Sequence, residues 1–357
     1  MVSADRTPGR WCSQSPTSEM VISPHGSPRG DPIRQLLANC LLSAFTLLLL
    51  FALGEAAFRL IDVDRQLEYD LDPEVYWKLR PNQTGYLWMG NGSLRSVEAR
   101  INNLGLRGPN VDVNAHRRIR ILALGDSYTF GVGVGDADTF CAVLERTLGP
   151  QRVEVINAGV PGYGIFQAER TLRRLGPQLH PDVVILTIPT GDVFRQPFAT
   201  TEEERRYLES ERTRLRFRGV SKLATWVYRK VYYLGMRFGW GVKIVPNDAR
   251  ADGDASFERL WRSDERRLIA MEELSTGAGA KLVVMVWPQA GEGTRNDVVT
   301  EGVRALAGDG VLTLTRLETV LSRLPPDELV IPGDGHPAAP AHRAAGEYLA
   351  EALGEIL

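Results

Sequence analysis

Residues Ile119–Gly135 read IRILALGDSYTFGVGVG: an apolar run, then Gly125-Asp126-Ser127, then small residues and glycines. A continuous apolar run of this length, closed by a glycine-containing turn, predicts a strand buried on both faces that delivers a serine onto a sharp bend. A serine hydroxyl is a weak nucleophile until a neighbouring base takes its proton, and the end of a rigid strand fixes the geometry that this transfer needs. Ser127 is therefore the candidate nucleophile.

Working outward, strand and helix signals alternate. Apolar strands are predicted at 119–124, 153–156, 183–188, 282–287 and 311–314. Helix-length segments lie near 138–149, 165–176, 256–277 and 296–307, and a last one runs from Pro340 to Leu357. Such alternation implies an α/β domain over 118–357, with a five-stranded parallel sheet covered by helices on both faces. Residues 193–255 interrupt it as a helical insertion in which arginines and lysines interleave with Trp226, Tyr228, Tyr232, Tyr233, Phe238 and Trp240. Its composition fits a lid or a basic aromatic surface, but such compositions are common on ordinary surface helices with a solvated face, which is the simpler reading. Ahead of the domain, 62–117 is polar and turn-rich with short alternating pieces around 84–101, the pattern of a stalk and a small β-containing subregion.

The N-terminal part differs in kind. Residues 1–33 are rich in Ser, Pro, Gly and Arg without periodicity, as in a disordered tail. From Leu36 to Leu53 no residue is charged, and apolar character resumes after Glu55 as far as Ile61. Residues 34–61 thus predict one transmembrane anchor, with a cleaved signal peptide as the alternative. Arg6, Arg10, Arg29 and Arg34 precede the uncharged run, whereas its far side is mixed in charge. That asymmetry favours a cytoplasmic N-terminus, with the large domain on the periplasmic or cell-surface side.

Several classes drop out. With 42 Lys+Arg against 44 Asp+Glu the net charge is −2, and no global field argues for a nucleic-acid partner. Gly131, Gly133 and Gly135 do not have dinucleotide-loop spacing, no phosphate-loop Gly-Lys-Ser/Thr occurs, and no HExxH or paired Cys/His spacing is present. Neither a cofactor nor a metal is expected. Cys12, Cys40 and Cys141 fall in three separate segments, and no disulfide is expected. Nothing in the sequence fixes an oligomeric state.

The block GDSYTFGVGVG resembles the first motif of the SGNH, or GDSL-like, hydrolases. Asn103-Leu104-Gly105-Leu106-Arg107-Gly108 is similar to the NxxGxRG lead-in of membrane-anchored bacterial members. Downstream, Asn157-Ala158-Gly159-Val160-Pro161-Gly162-Tyr163-Gly164 resembles the second motif, and Pro332-Gly333-Asp334-Gly335-His336-Pro337 the last. The resemblance covers about 102 to 357. It implies a flavodoxin-like three-layer α/β/α fold with Ser127 as nucleophile, His336 as base and then acid, and Asp334 as the carboxylate that orients it. The backbone N–H groups of Ser127 and Gly162 would form an oxyanion hole. Preorganised donors of that kind stabilise a tetrahedral intermediate by about 3–4 kcal/mol each. Of the other histidines, His25, His116 and His180 lie on poorly placed segments, and His342 in the final helix is the competitor to His336.

Two departures matter. The family's common Asp-x-x-His spacing is here the shorter Asp334-Gly335-His336. In the third motif, which usually reads Gly-x-Asn-Asp, VVILTIPTGDV places Gly191 where the asparagine donor belongs and keeps Asp192. Loss of that donor costs about a hundredfold or more in rate unless another group, such as Thr190, replaces it. The expectation is a serine esterase acting on acyl esters, O-acetyl above all, of cell-envelope or exported carbohydrate. The alternatives are a carbohydrate O-acyltransferase on the same fold and a catalytically weakened carbohydrate-binding or assembly protein. The expected partners are an acylated carbohydrate or other small ester and, through one helix, the membrane.

Overall fold

The computed structural model describes residues 31–61, 66–87, 97–115, 118–190, 220–237, 254–289, 293–306, 311–314, 317–354 and 357, with isolated positions between 202 and 212. The chain divides into two compact units, Met1–Ala56 and Ala57–Leu357. Helix α1, Pro32–Ile61, begins in the first. It is long and apolar enough to cross a bilayer by length and composition, and none of its most apolar stretch is buried.

In the second unit four short strands come first: β1 (Tyr69–Asp72), β2 (Tyr76–Leu79), β3 (Gln83–Tyr86) and β4 (Glu98–Ile101). They pair as two antiparallel hairpins, β1 with β2 and β3 with β4. Then follow β5 (Ile119–Gly125), the four-residue helix α2 (Ser127–Phe130), α3 (Phe140–Leu148), β6 (Val153–Gly159), α4 (Ile165–Leu179) and β7 (Val183–Pro189). The insertion contributes α5 (Lys222–Arg237), and α6 spans Asp254–Gly277. Last come β8 (Lys281–Trp287), α7 (Gly293–Ala305), β9 (Val311–Leu314), α8 (Leu317–Leu321), α9 (Pro326–Leu329) and α10 (Ala339–Gly354).

Strands β5 to β9 form one parallel sheet in the order β6-β5-β7-β8-β9. This is the doubly wound arrangement of the flavodoxin type, with helices on both faces. The two-residue period of a strand explains why the strand sequences are apolar throughout. On one face Leu122, Leu124, Val184, Leu186, Leu282 and Val284 meet side chains of α4, α6 and α7, among them Leu172, Met271 and Val303. On the other, Ile121, Ala123, Ile185, Val283, Met285 and Trp287 meet Phe140 and Leu144 of α3, Leu317 of α8, and Ala345 and Leu349 of α10. Two glycines allow helices to close up. A Cβ on Gly346 would lie 2.6 Å from Val143, and one on Gly302 would lie 2.2 Å from the Trp261 ring.

The five strands expected from the sequence are all present. β6 runs three residues further than its apolar stretch, through Asn157, and α4 continues past Pro177 to a left-handed cap at His180. Hairpin β1–β2 and the short helix α2 carry no periodicity long enough to read, because each element spans only four residues. Most of the insertion, including Phe238 and Trp240, lies outside the described residues.

Candidate active site

The C-terminal ends of β5, β6, β7 and β8 carry the polar residues of the candidate site. β5 ends at Gly125 (φ +150°), where a Cβ would approach Thr129 Oγ1 to 2.2 Å. Asp126 then caps α2, its Oδ1 accepting the Tyr128 N–H at 2.9 Å. This is the usual service of an aspartate at a helix N-cap. Ser127 is the first residue of α2 and is 6% exposed. Its hydroxyl donates to Asp126 Oδ2 at 3.4 Å, and no hydrogen bond joins it to His336. The backbone N–H groups of Ser127 and Gly162 find no acceptor among the described residues.

The loop after α2 is held by a buried arginine. Arg107, 4% exposed, donates to the carbonyls of Phe130 (2.8 Å), Gly131 (2.5 Å) and Val134 (2.7 Å), and its Nε donates to Asp136 Oδ1 at 2.9 Å. Its guanidinium also lies 4.8 Å from the Phe130 ring centroid. Burial lowers its pKa while Asp136 pulls it back up. The lead-in motif is thus a clamp on the glycine loop. Its organising asparagine is Asn102, one residue before the stretch that the sequence singled out: Oδ1 accepts the N–H groups of Leu104 (2.9 Å) and Leu106 (3.0 Å), while Asn103 reaches across to Val111. On β6, Asn157 donates to the Thr129 carbonyl at 2.8 Å, and a Cβ on Gly159 would come within 2.3 Å of the Phe130 nitrogen. α2 therefore sits directly against the end of β6.

Gly162 follows β6 in the left-handed region (φ +86°). The hairpin β1–β2 packs onto its loop: Trp77 Nε1 donates to the Pro161 carbonyl at 3.2 Å, and a Cβ on Gly162 would stand 3.1 Å from the Trp77 ring. At the end of β7, Thr190 is fully buried, and its Oγ1 accepts the Gln289 N–H at 3.1 Å, tying β7 to β8. Gly191 and Asp192 lie outside the described residues.

The last motif forms a tight loop, closed by the Ile331 N–H donating to the His336 carbonyl at 2.8 Å and by a bridge between Val330 and Pro337. Within it Asp334 Oδ2 and His336 Nδ1 are 2.8 Å apart. Gly335, between them, has φ +85°. A left-handed residue reverses the chain locally, which is how two side chains only two positions apart turn toward each other. The Asp-x-His spacing thus has a backbone explanation. Gly133 joins the two loops, for a Cβ there would meet Ile331 Cδ1 at 2.3 Å.

The structure separates the two histidines. His336 is partly exposed and its ring lies 5.8 Å from that of Tyr128. His342 is fully buried beneath Phe140 and Trp287, and its Nδ1 accepts the Phe140 N–H at 3.3 Å. Burial, with smaller contributions from Arg107 and His336, lowers its pKa to about 3, so it is neutral at pH 7. The sequence does not single out Tyr128 or Gln289. The Tyr128 ring stands edge-on to Trp287, 5.6 Å between centroids, and its hydroxyl accepts from Gln289 Nε2 at 2.8 Å. No group of acidic, His or Cys side chains suited to a metal occurs among the described residues.

A parallel sheet in this order, with a serine at the end of its second-position strand and an Asp–His pair on the last loop, defines an α/β/α hydrolase-type domain. Residues 123–344, more than half of the chain, match the model of the GDSL-like lipase/acylhydrolase family, and the chain belongs to that family. Similar solved structures include TesA (15% identity, covering 67% of this chain and 99% of that one, TM-score 0.43). Another is the psychrotrophic esterase EstA from Pseudoalteromonas sp. (14%, 67% and 98%, TM-score 0.40). A third is a catalytic mutant of the acetylxylan esterase Axe2 from Geobacillus stearothermophilus (17%, 66% and 94%, TM-score 0.39). No curated protein sequence gives a significant match.

Proposed function

We propose that this protein is a membrane-anchored serine esterase that removes acyl groups, O-acetyl above all, from carbohydrate of the cell envelope or of exported polysaccharide. The observation that carries the reading is the 2.8 Å contact between Asp334 and His336 on the loop packed against the serine turn. With Nδ1 engaged by Asp334, Nε2 is the nitrogen left to take the Ser127 proton. The reading requires the hydroxyl to turn from Asp126 toward that nitrogen. Ser127 Oγ then attacks the ester carbonyl, and the developing oxyanion is received by the unused N–H groups of Ser127 and Gly162. His336 returns its proton to the departing alcohol, leaving an acyl-serine. Water as second acceptor completes hydrolysis, whereas a sugar hydroxyl in its place makes the same site an O-acyltransferase. α1 would hold the domain on the outer side of the membrane with the N-terminus inside.

The weakened, binding-only reading has one observation in its favour, the Ser127 hydroxyl resting on Asp126 rather than on His336. Burst hydrolysis of p-nitrophenyl acetate by the full-length protein in detergent, compared with Ser127→Ala, separates the two. A fall of about 10⁴-fold or more is expected for the variant. Equal rates would remove the esterase reading, and Ser127 would then also resist labelling by a fluorophosphonate.

A further inference from the structure

Beside the α4 end of the candidate site lies a groove of about 550 Å³, lined largely by arginines. Its walls are α4, α6 and the turn of hairpin β1–β2. Its volume is in the range of small-ligand sites, about 300–1,000 Å³. Phe166, in the first turn of α4 four residues after Gly162, is the scaffold. Tyr76 stacks on it, with centroids 5.6 Å apart and planes within 10°. The guanidinium carbons of Arg170 and Arg267 lie 4.3 Å and 5.0 Å from the same ring centroid. Stacking uses the flat face of a guanidinium and leaves its N–H edge free, which is how a planar cation is preorganised for a carboxylate or phosphate.

Four arginines line the groove against two glutamates, Glu74 and Glu169, so its positive charge is only partly cancelled. Arg174 is engaged by Asp72 at 2.9 Å and Arg173 by Glu169 at 2.8 Å. Arg170 and Arg267 form no ion pair among the described residues. Arg170 donates to the Glu74 carbonyl at 3.2 Å and Arg267 to Ser263 Oγ at 3.2 Å. Arg267 Nε is buried with no hydrogen-bond partner. Asp264, one turn away, does not supply the missing negative charge. Burial raises its pKa to about 8 against the pull of Arg267, so it is largely protonated at pH 7. A bound anion would supply the negative charge that these two guanidiniums lack among the described residues.

Tyr76 also points to a ligand. It holds its stacking position at φ +71°, a conformation that costs a non-glycine residue of order 1–3 kcal/mol. Trp77, the next residue, packs on the Gly162 loop. One hairpin therefore touches both the oxyanion loop and the arginine groove, so a chain lying in the groove passes close to the candidate site.

We infer that this groove binds an anionic glycan, its carboxylate or phosphate group held between Arg170 and Arg267, and that the substrate is an acylated acidic polysaccharide rather than a neutral one. The inference rests on the carbohydrate-ester reading above and names its substrate class. The groove offers a lipid chain no free apolar wall, since Phe166, its one aromatic lining residue among those described, is covered by Tyr76 and the guanidiniums.

The test is calorimetric titration of the full-length Ser127→Ala protein in detergent with polygalacturonate oligomers, with a phosphomannan and with xylo-oligosaccharides of matched length. One acidic ligand is expected to bind about tenfold or more tightly than the neutral one, and which of the two it is identifies the anionic group. Adding Arg170→Gln and Arg267→Gln is expected to weaken that binding about tenfold or more, the melting temperature reporting that the variant is folded. Should the double variant not fold, the Ser127→Ala protein itself decides, because binding through the charge of groove-lining guanidiniums must weaken as salt screens it. Equal affinity for acidic and neutral oligomers, no binding, or binding indifferent to both the substitutions and salt overturns the inference. Binding needs no turnover, so a protein that binds the acidic oligomer yet hydrolyses no ester refutes the esterase reading alone.

Discussion

Ser127 and His336 stand on supports of opposite construction. The serine turn is fixed by buried groups from distant parts of the chain: Arg107 spends its donors on three carbonyls and Asp136, Asn157 reaches over from β6, and Gly125 and Gly159 have no room for a Cβ. The histidine loop is local. It closes on its own backbone between Leu329 and Ala338, and the only ion pair within it is that of Asp334 and His336. The position of Ser127 is thus tied to the stability of the whole domain, whereas His336 is aimed by one short hydrogen bond. Substitutions on the two sides should therefore fail in different ways.

The largest effect is expected on the local side. Asp334→Ala removes the acceptor that fixes the His336 ring, and kcat toward p-nitrophenyl acetate should fall about 10⁴-fold with little change in melting temperature. A fall under tenfold would mean that His336 is not the oriented base. Arg107→Leu should show the reverse pattern. It removes the arginine's bonds to three buried carbonyls, leaves Asp136 without its ion pair and costs about 3–5 kcal/mol of stability, read from the denaturant midpoint. A midpoint shift worth under about 1 kcal/mol would show that the clamp does not carry the turn.

His342 tests the wall between the two supports, for its imidazole accepts from Phe140 beneath the glycine loop. Its pKa is about 3 folded and 6.5 for the ordinary side chain. The unfolded chain then binds the extra proton between those values. This contribution to stability is complete above about pH 6.5 and falls away as pH drops toward 3, by about 1.4 kcal/mol per pH unit. At pH 5 the loss is about 2 kcal/mol. His342→Gln should flatten that slope in a series of denaturant midpoints from pH 7 to 4.5, and an unchanged slope would assign the acid sensitivity to other groups.

What the sequence reveals follows the same division. The five strands are legible because both faces are buried and their residues are apolar almost without interruption, Val183–Pro189 being the clearest. The support that the serine receives is not, because Asn102, Arg107 and Asn157 are polar residues in turns and at strand ends whose partners lie up to 29 positions away. Asp126 carried a readable signal, an aspartate immediately before a helix, although the helix is too short to show any period. Gln289 carried none. It is a single polar residue after Trp287-Pro288, and its place beside Tyr128 comes from sheet order alone. Thr190 Oγ1 accepts the Gln289 N–H, which fixes the hydroxyl between β7 and β8 and leaves its own proton as the group that could donate.

The smallest effect separates two kinds of glycine. At Gly125 both the backbone angle and the surroundings exclude a side chain, but at Gly335 nothing stands within 4 Å of an added Cβ and only φ +85° objects. Gly335→Ala should therefore cost about 1 kcal/mol, the penalty of a left-handed alanine, without any steric clash. The loop has two ways to respond. If it keeps its shape, kcat is unchanged and only the melting temperature drops by a few degrees. If it relaxes to negative φ, Asp334 and His336 turn apart, and kcat falls toward that of Asp334→Ala. Since the loop is held mainly by its own hydrogen bonds, relaxation is the expected response, with kcat falling more steeply than stability. Unchanged kcat in Gly335→Ala would show that the histidine loop is as firmly held as the serine turn.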